Sequence, residues 1–100
     1  MKIKVLGSEA ACGTSSGNGS SYSGATHVRV INSGTTNRLV SVENSSNSLI
    51  GTFTLGGGAS EIVVKTQTDE VFAAHAEVLA VGIAVENLYE IIQSIHNRST

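Results

Sequence analysis

Apolar and polar residues alternate in several short runs along the first 85 residues of the chain. Such alternation is typical of half-buried β-strands, because successive side chains of a strand face opposite sides of a sheet. Turn-forming Gly, Ser and Asn residues separate the runs about every 10–12 residues, as in antiparallel sandwiches and barrels. The pattern predicts strands over residues 2–6, 26–32, 38–44, 49–55, 61–67 and 76–85.

The alternation also predicts which side chains face the core. Val28 and Val30 share one face of their strand, and Val40 and Val42 share the buried face of the next. The run at 76–85 is apolar on both faces, so we expect both to be covered, by the opposite sheet or by a neighbouring subunit.

Two segments do not follow this alternation. Residues 7–25 are dominated by Gly, Ser and Asn, and they carry too little apolar surface to offset the entropy lost on ordering. We therefore expect a flexible arm that orders on a partner, with Tyr22 as its anchor. Residues 68–75 predict either one helical turn, capped by Thr68 or Asp69, or a bend before the next strand.

The period changes at the end of the chain. Four apolar residues recur at helical spacing, and acidic residues precede basic ones as the helix dipole favours. A helix this short must pack on something, either its own domain or another subunit. The residues of its apolar face are Leu88, Ile91, Ile92 and Ile95.

These patterns predict one all-β domain over residues 1–85, folded as an antiparallel β-sandwich or small barrel. Residues 7–25 would form its flexible N-terminal arm, and residues 86–100 a C-terminal helical extension.

Composition narrows the possible partners. Only 14% of the residues are charged, the net charge is −2, and Lys and Arg form no stripe that could neutralise phosphates. Nucleic acid is therefore not an expected partner. No apolar run is long enough to span a membrane, and the opening residues do not resemble a secretory signal. Cys12 is the single cysteine, so we expect no intrachain disulfide.

The sequence contains no recognisable catalytic motif. His27, His75 and His96 lack partners at metal-ligand spacing, and no nucleophile elbow occurs. The glycine-rich stretches "GTSSGNG" and "LGGGAS" lack the lysine or the following helix of a phosphate-binding loop. We therefore expect a protein that is not an enzyme and has no catalytic residue, cofactor or metal.

Several motifs carry a resemblance. An opening "IKVLGS", a "VRVIN" strand, an "IGTFTL" strand, a glycine turn, a "TDEV" corner and a final "VLAVGIA" strand occur in this order. Over about residues 1–85 the chain resembles small virion structural proteins of tailed phages, including marine phages and cyanophages. Residues 86–100 fall outside the resemblance, and all of its motifs are structural.

The resemblance implies a virion protein assembled in the host cytoplasm, and we expect a homo-oligomer that decorates the capsid by binding the major capsid protein. The arm would order on a neighbouring coat subunit, and the candidate interface residues are Tyr22, Leu88, Ile91, Ile92 and Ile95. Two alternatives remain. One is a neck, tail or fibre component, in which Tyr22 or Tyr89 would contact host glycans, and the other is a small host-directed inhibitor.

Overall fold

Eight β-strands lie within residues 2–86, the part of the chain that the computed structural model describes. The predicted C-terminal helix lies outside the described residues, except for Glu86, which is the last residue of the last strand. The strands are β1 (Lys2–Val5), β2 (Ala10–Ala11), β3 (His27–Asn32), β4 (Arg38–Glu43), β5 (Leu49–Leu55), β6 (Ser60–Val64), β7 (Glu70–Ala73) and β8 (Val78–Glu86).

The strands form two antiparallel sheets, so the predicted all-β class is confirmed. The smaller sheet has the order β5-β4-β7. The larger sheet has the order β1-β8-β3-β6, and β2 also pairs with β8. The pairs Val5↔Ile83 and Ala10↔Ala80 show that residues 6–9 bulge out between β1 and β2. Together β1 and β2 therefore line one edge of β8, while β3 occupies the other edge.

The core contains buried residues from both sheets. Val28 and Val30 of β3 and Val40 of β4 are fully buried, and Val42 packs against them, which confirms the faces predicted for these strands. The inward face of β8 is covered, as its sequence predicted. The cluster consists of Cys12, Val28, Val30, Val40, Leu55, Val63, Val71, Ala73, Val78 and Ala80.

The segment predicted as a flexible arm is instead held by its own domain. The Gly13 carbonyl accepts a 2.9 Å hydrogen bond from the Ala73 amide, and Ser20 and Val71 exchange two backbone hydrogen bonds. The segment thus runs along the edge of β7 that β4 leaves free. Composition predicted a flexible arm because most side chains of residues 7–25 are small and polar. The segment is ordered by backbone hydrogen bonds to β7, which side-chain composition does not reveal.

The stretch at 68–75 contains a short strand and then a bend at residues 74–75 before β8, and it forms no helical turn. Residues Glu70–Ala73 make up β7, which pairs with β4 in the register Val42↔Val71. Val71 and Ala73 are fully buried, so the segment has the alternation of a strand. The sequence did not predict this strand because Thr68 and Asp69 before it also fit the cap of a helical turn.

Candidate interaction surfaces

The buried carboxylate of Glu43 is the first group to test for chemistry. Glu43 is 1% exposed, at the end of β4. Ser16 Oγ donates a hydrogen bond to its Oε2 at 2.7 Å, and the Gly17 amide donates to its Oε1 at 2.9 Å. Both carboxylate oxygens therefore fasten residues of the segment that was predicted to be free. Glu43 has a structural role in this arrangement.

Lys65 is a buried cation. Its Nζ donates hydrogen bonds to the backbone oxygens of Ser21 at 2.9 Å and Thr66 at 3.1 Å. Burial lowers the pKa of Lys65, and the charges of Asp69 and Glu70 oppose that shift. The amine joins the N-terminal segment to the loop after β6.

Asn32 is a fully buried amide at the end of β3. Its Nδ2 donates to the backbone oxygens of Thr36 at 2.7 Å and Leu55 at 3.0 Å, and its Oδ1 accepts from the Gly34 amide at 3.0 Å. Because Leu55 belongs to the smaller sheet, this side chain ties the two sheets together. Throughout residues 2–86, no buried side-chain nitrogen or oxygen lacks a hydrogen-bond partner.

Tyr22, the predicted anchor for a partner, packs against its own core. Its hydroxyl lies 3.6 Å from the buried Cys12 Sγ. Burial raises the pKa of both the Cys12 thiol and the Tyr22 phenol. The thiol is therefore protected from ionisation, which is the opposite of what a nucleophilic cysteine needs.

The histidines do not converge. His27 Nδ1 lies 3.0 Å from Thr26 Oγ1, and His75 Nδ1 accepts a hydrogen bond from the Glu77 amide at 3.0 Å. His96 lies outside the described residues. Within the described part of the chain, no group of three His, Cys, Asp or Glu side chains could hold a metal ion.

A depression of about 420 Å³ lies between the bulge at 6–9 and the turn that contains Tyr22. Its described lining comes from Leu6, Gly7, Ser8, Ser20, Tyr22, Ser23, Gly24, Ala25, Val81 and Gly82. None of these side chains carries a charge, so this lining offers no acid–base pair.

The outward face of the larger sheet is the first candidate interaction surface. It is the side of β8 turned away from the core, and its apolar residues gather at the end where β8 finishes. Cross-strand register pairs Ile3 with Val85 and Val5 with Ile83. Ile3 and Val5 are exposed, whereas an ion pair of 3.3 Å between Arg29 and Glu9 lies farther along the face. We call the four residues Ile3, Val5, Ile83 and Val85 the outer patch.

The free edge of β5 is the second candidate surface. Among residues 2–86, only β4 pairs with β5, so one edge of the strand is without a neighbour. Leu49 and Ile50 are 62% and 58% exposed, and the strand contains neither a charged residue nor proline. Natural sheets usually protect an edge with such residues, so an unprotected edge is a site for strand addition. The uncharged run "LIGTFTL" was the sequence signal for this surface, which the predicted interface set missed.

The other predicted interface residues, Leu88, Ile91, Ile92 and Ile95, lie outside the described residues. In the described part, no helix is long and apolar enough to cross a membrane. No protein-family model, curated protein or solved structure matches this chain.

Proposed function

We propose that this protein is a non-enzymatic structural protein of a tailed-phage particle, a decoration protein that binds the major capsid protein. Its two sheets would face each other as a β-sandwich. The observation that carries the proposal is the uncharged, unpaired edge of β5, together with the resemblance of the strand motifs to small virion proteins. The buried side chains of Glu43, Asn32 and Lys65 hydrogen-bond to groups of the same chain and stabilise its fold. This is what a structural protein requires of them.

The proposed mechanism is addition of a strand. An extended segment of the coat protein pairs with the free edge of β5, and backbone hydrogen bonds supply the attachment. Leu49 and Ile50 would then lose their solvent exposure against the capsid. The sequence predicts that residues 7–25 bind the coat protein, but this segment already binds β7 and Glu43. We therefore assign the contact with the coat protein to β5.

Binding at many copies of the same site can compensate for the weakness of each single contact. Decoration proteins face many equivalent sites on a capsid, and a homo-oligomer that engages several of them gains avidity without any new contact. Low charge suits this mode, since attachment would rest on hydrogen bonds and apolar contacts rather than on ion pairs.

Binding to capsids that lack the protein tests the proposal. The wild-type protein should co-sediment with them at a fixed ratio to the coat protein. Ile50→Lys places a charge beside the edge that would be covered, and we expect it to weaken binding by about tenfold or more, which corresponds to about 1.4 kcal/mol. Thr68→Lys, at an exposed turn residue, is the matched control and should bind like the wild type.

The copy number in purified particles separates the alternatives. Hundreds of copies per particle indicate the capsid shell, whereas a few copies indicate the neck, tail or fibre. Absence of the protein from the particle would overturn the proposal and favour the host-directed inhibitor.

A further inference from the structure

Two residues of β8 are buried on the face that the smaller sheet does not cover. Val81 and Ile83 pair with Arg29 and His27, so they point away from the core residues Val78 and Ala80. Yet Val81 is 5% exposed and Ile83 is 1% exposed. All strands of residues 2–86 lie within the two sheets, so none of them forms a layer over this face.

The outer patch is apolar where the chain leaves the sheet. Val85 is the next-to-last residue of β8, and its cross-strand neighbour Ile3 belongs to the patch. Whatever follows Glu86 therefore starts at the border of this patch. The Arg29–Glu9 ion pair borders the outer patch at the end away from Val85. A short apolar segment could therefore lie on the patch between the ion pair and the end of β8.

The sequence that follows has the right pattern and length. Asn87 suits a helix N-cap, and Glu90 three residues later can complete a capping box. From Leu88 to Ile95 a helix would span about 11 Å, at about 1.5 Å per residue. From Val81 to Val85, β8 spans about 13 Å, at about 3.3 Å per residue. One apolar helix face therefore matches this stretch of β8 in length, beside which Ile3 and Val5 of the outer patch are exposed.

We propose that residues 87–100 fold back as an amphipathic helix and cover the outer patch of the same molecule. Leu88, Ile91, Ile92 and Ile95 would then lie against Ile3, Val5, Ile83 and Val85. The helix would close the second face of β8, whose apolar sequence requires cover on both sides. The occupant is a segment of the same chain because β8 delivers it directly to the patch.

A spin label on the far side of the helix can test this arrangement in the full-length chain. At helical spacing, Gln93 lies opposite the apolar face, so Gln93→Cys carries the nitroxide without disturbing the contact. Cys12 is buried and should not react with the label, and the labelling of wild-type protein checks this. We expect NMR signals of Ile3, Val5 and Val85 to lose intensity strongly, and to recover when ascorbate reduces the nitroxide.

Two further samples locate the occupant. Ile92→Lys in the labelled protein should sharply reduce the intensity loss at Val5, because the charge cannot be buried against the patch, while the Leu55 signal stays unchanged as a check of the fold. In the second sample, spin-labelled protein without isotope is mixed with unlabelled isotopic protein. Intensity loss in this mixture means that a second copy covers the patch, because the nitroxide and the observed nuclei then belong to different molecules. Either that result or no loss at Ile3 and Val5 in any sample overturns the proposal.

Discussion

At the scale of single residues, Glu43 explains how a polar segment becomes part of a domain. Residues 12–26 bring few apolar side chains to the core, so burial alone holds them weakly. A buried carboxylate needs hydrogen-bond donors, and Ser16 and Gly17 supply them. The segment and the carboxylate therefore stabilise each other.

We expect Glu43→Ala to lower the free energy of unfolding by about 1.5–3 kcal/mol, because hydrogen bonds to a charged group are lost and the Gly17 amide loses its partner. Urea denaturation measures this loss. Hydrogen exchange should also accelerate at residues 16–20. Glu61→Ala, at an exposed position of β6, is the control and should change stability by less than about 0.5 kcal/mol. Equal effects of the two variants would contradict the role of Glu43.

Cys12 and Tyr22 make stability depend on pH in the alkaline range. Their pKa values are raised in the folded protein, from ordinary values of 9.0 and 10.0. Above pH 9–10 the unfolded chain loses protons that the folded chain still holds, so stability should fall as pH rises. The lowered pKa of Lys65 acts in the opposite direction, and its contribution is common to the wild type and Tyr22→Phe.

Urea unfolding at several pH values between neutral and alkaline measures this effect. We expect the wild type to lose stability more steeply above pH 10 than Tyr22→Phe, which lacks the phenol. Parallel curves for the two proteins would show that the phenol ionises equally in both states.

At the scale of elements, β8 holds the larger sheet together, and one of its glycines lets the N-terminal segment approach. A Cβ at Gly82 would lie 3.0 Å from the Ala25 Cβ and 3.3 Å from the Tyr22 carbonyl oxygen. The turn at residues 22–25 therefore rests directly on the strand backbone. Gly51 of β5 offers a contrast, because a Cβ there would meet nothing within 4 Å.

We expect Gly82→Ala to destabilise the protein by about 1–3 kcal/mol through overpacking. Gly51→Ala should instead stabilise it by about 0.5–1 kcal/mol, because alanine loses less conformational freedom in a strand. Thermal or urea unfolding of the two variants provides the comparison. A neutral Gly82→Ala would mean that the turn moves away from the strand at little cost.

The elements also show how far the sequence could predict the fold. Alternation located six of the strands to within a few residues, since burial of one face is recorded locally in runs such as "HVRVIN". It did not locate β2, because two residues carry no pattern, or β7, because Thr68 and Asp69 before it also fit the cap of a helical turn. The binding of residues 12–26 to β7 and Glu43 is a long-range pairing, and no local pattern specifies the partner of such a segment.

The candidate surfaces were predictable to a smaller extent. The uncharged run at 49–55 predicts a strand, but sheet order alone makes it an edge. Tyr22 was expected to be an anchor for a partner because it is the only large side chain of its segment. Its actual neighbour, Cys12, lies ten residues away along the chain and becomes close only through folding.

At the scale of the whole molecule, the topology joins distant parts of the chain. β8 pairs with β1 and β2 at the start of the chain and with β3, so the larger sheet depends on contacts of high sequence separation. We expect a single cooperative unfolding transition and refolding in the range of milliseconds to seconds, as in other all-β domains of this size.

Stopped-flow circular dichroism after dilution from urea measures the refolding rate. Equilibrium curves from circular dichroism and from tyrosine fluorescence should coincide. Refolding in microseconds, or two separated equilibrium transitions, would contradict the expectation.

The position of β8 has a consequence during synthesis. The ribosome synthesises the chain from its N-terminus at about 5–20 residues per second. β1 and β2 therefore emerge seconds before the strand that pairs with them, while β4 and β5 can already form a hairpin. Throughout that delay the nascent chain carries unpaired strands, whose free edges make it prone to aggregation.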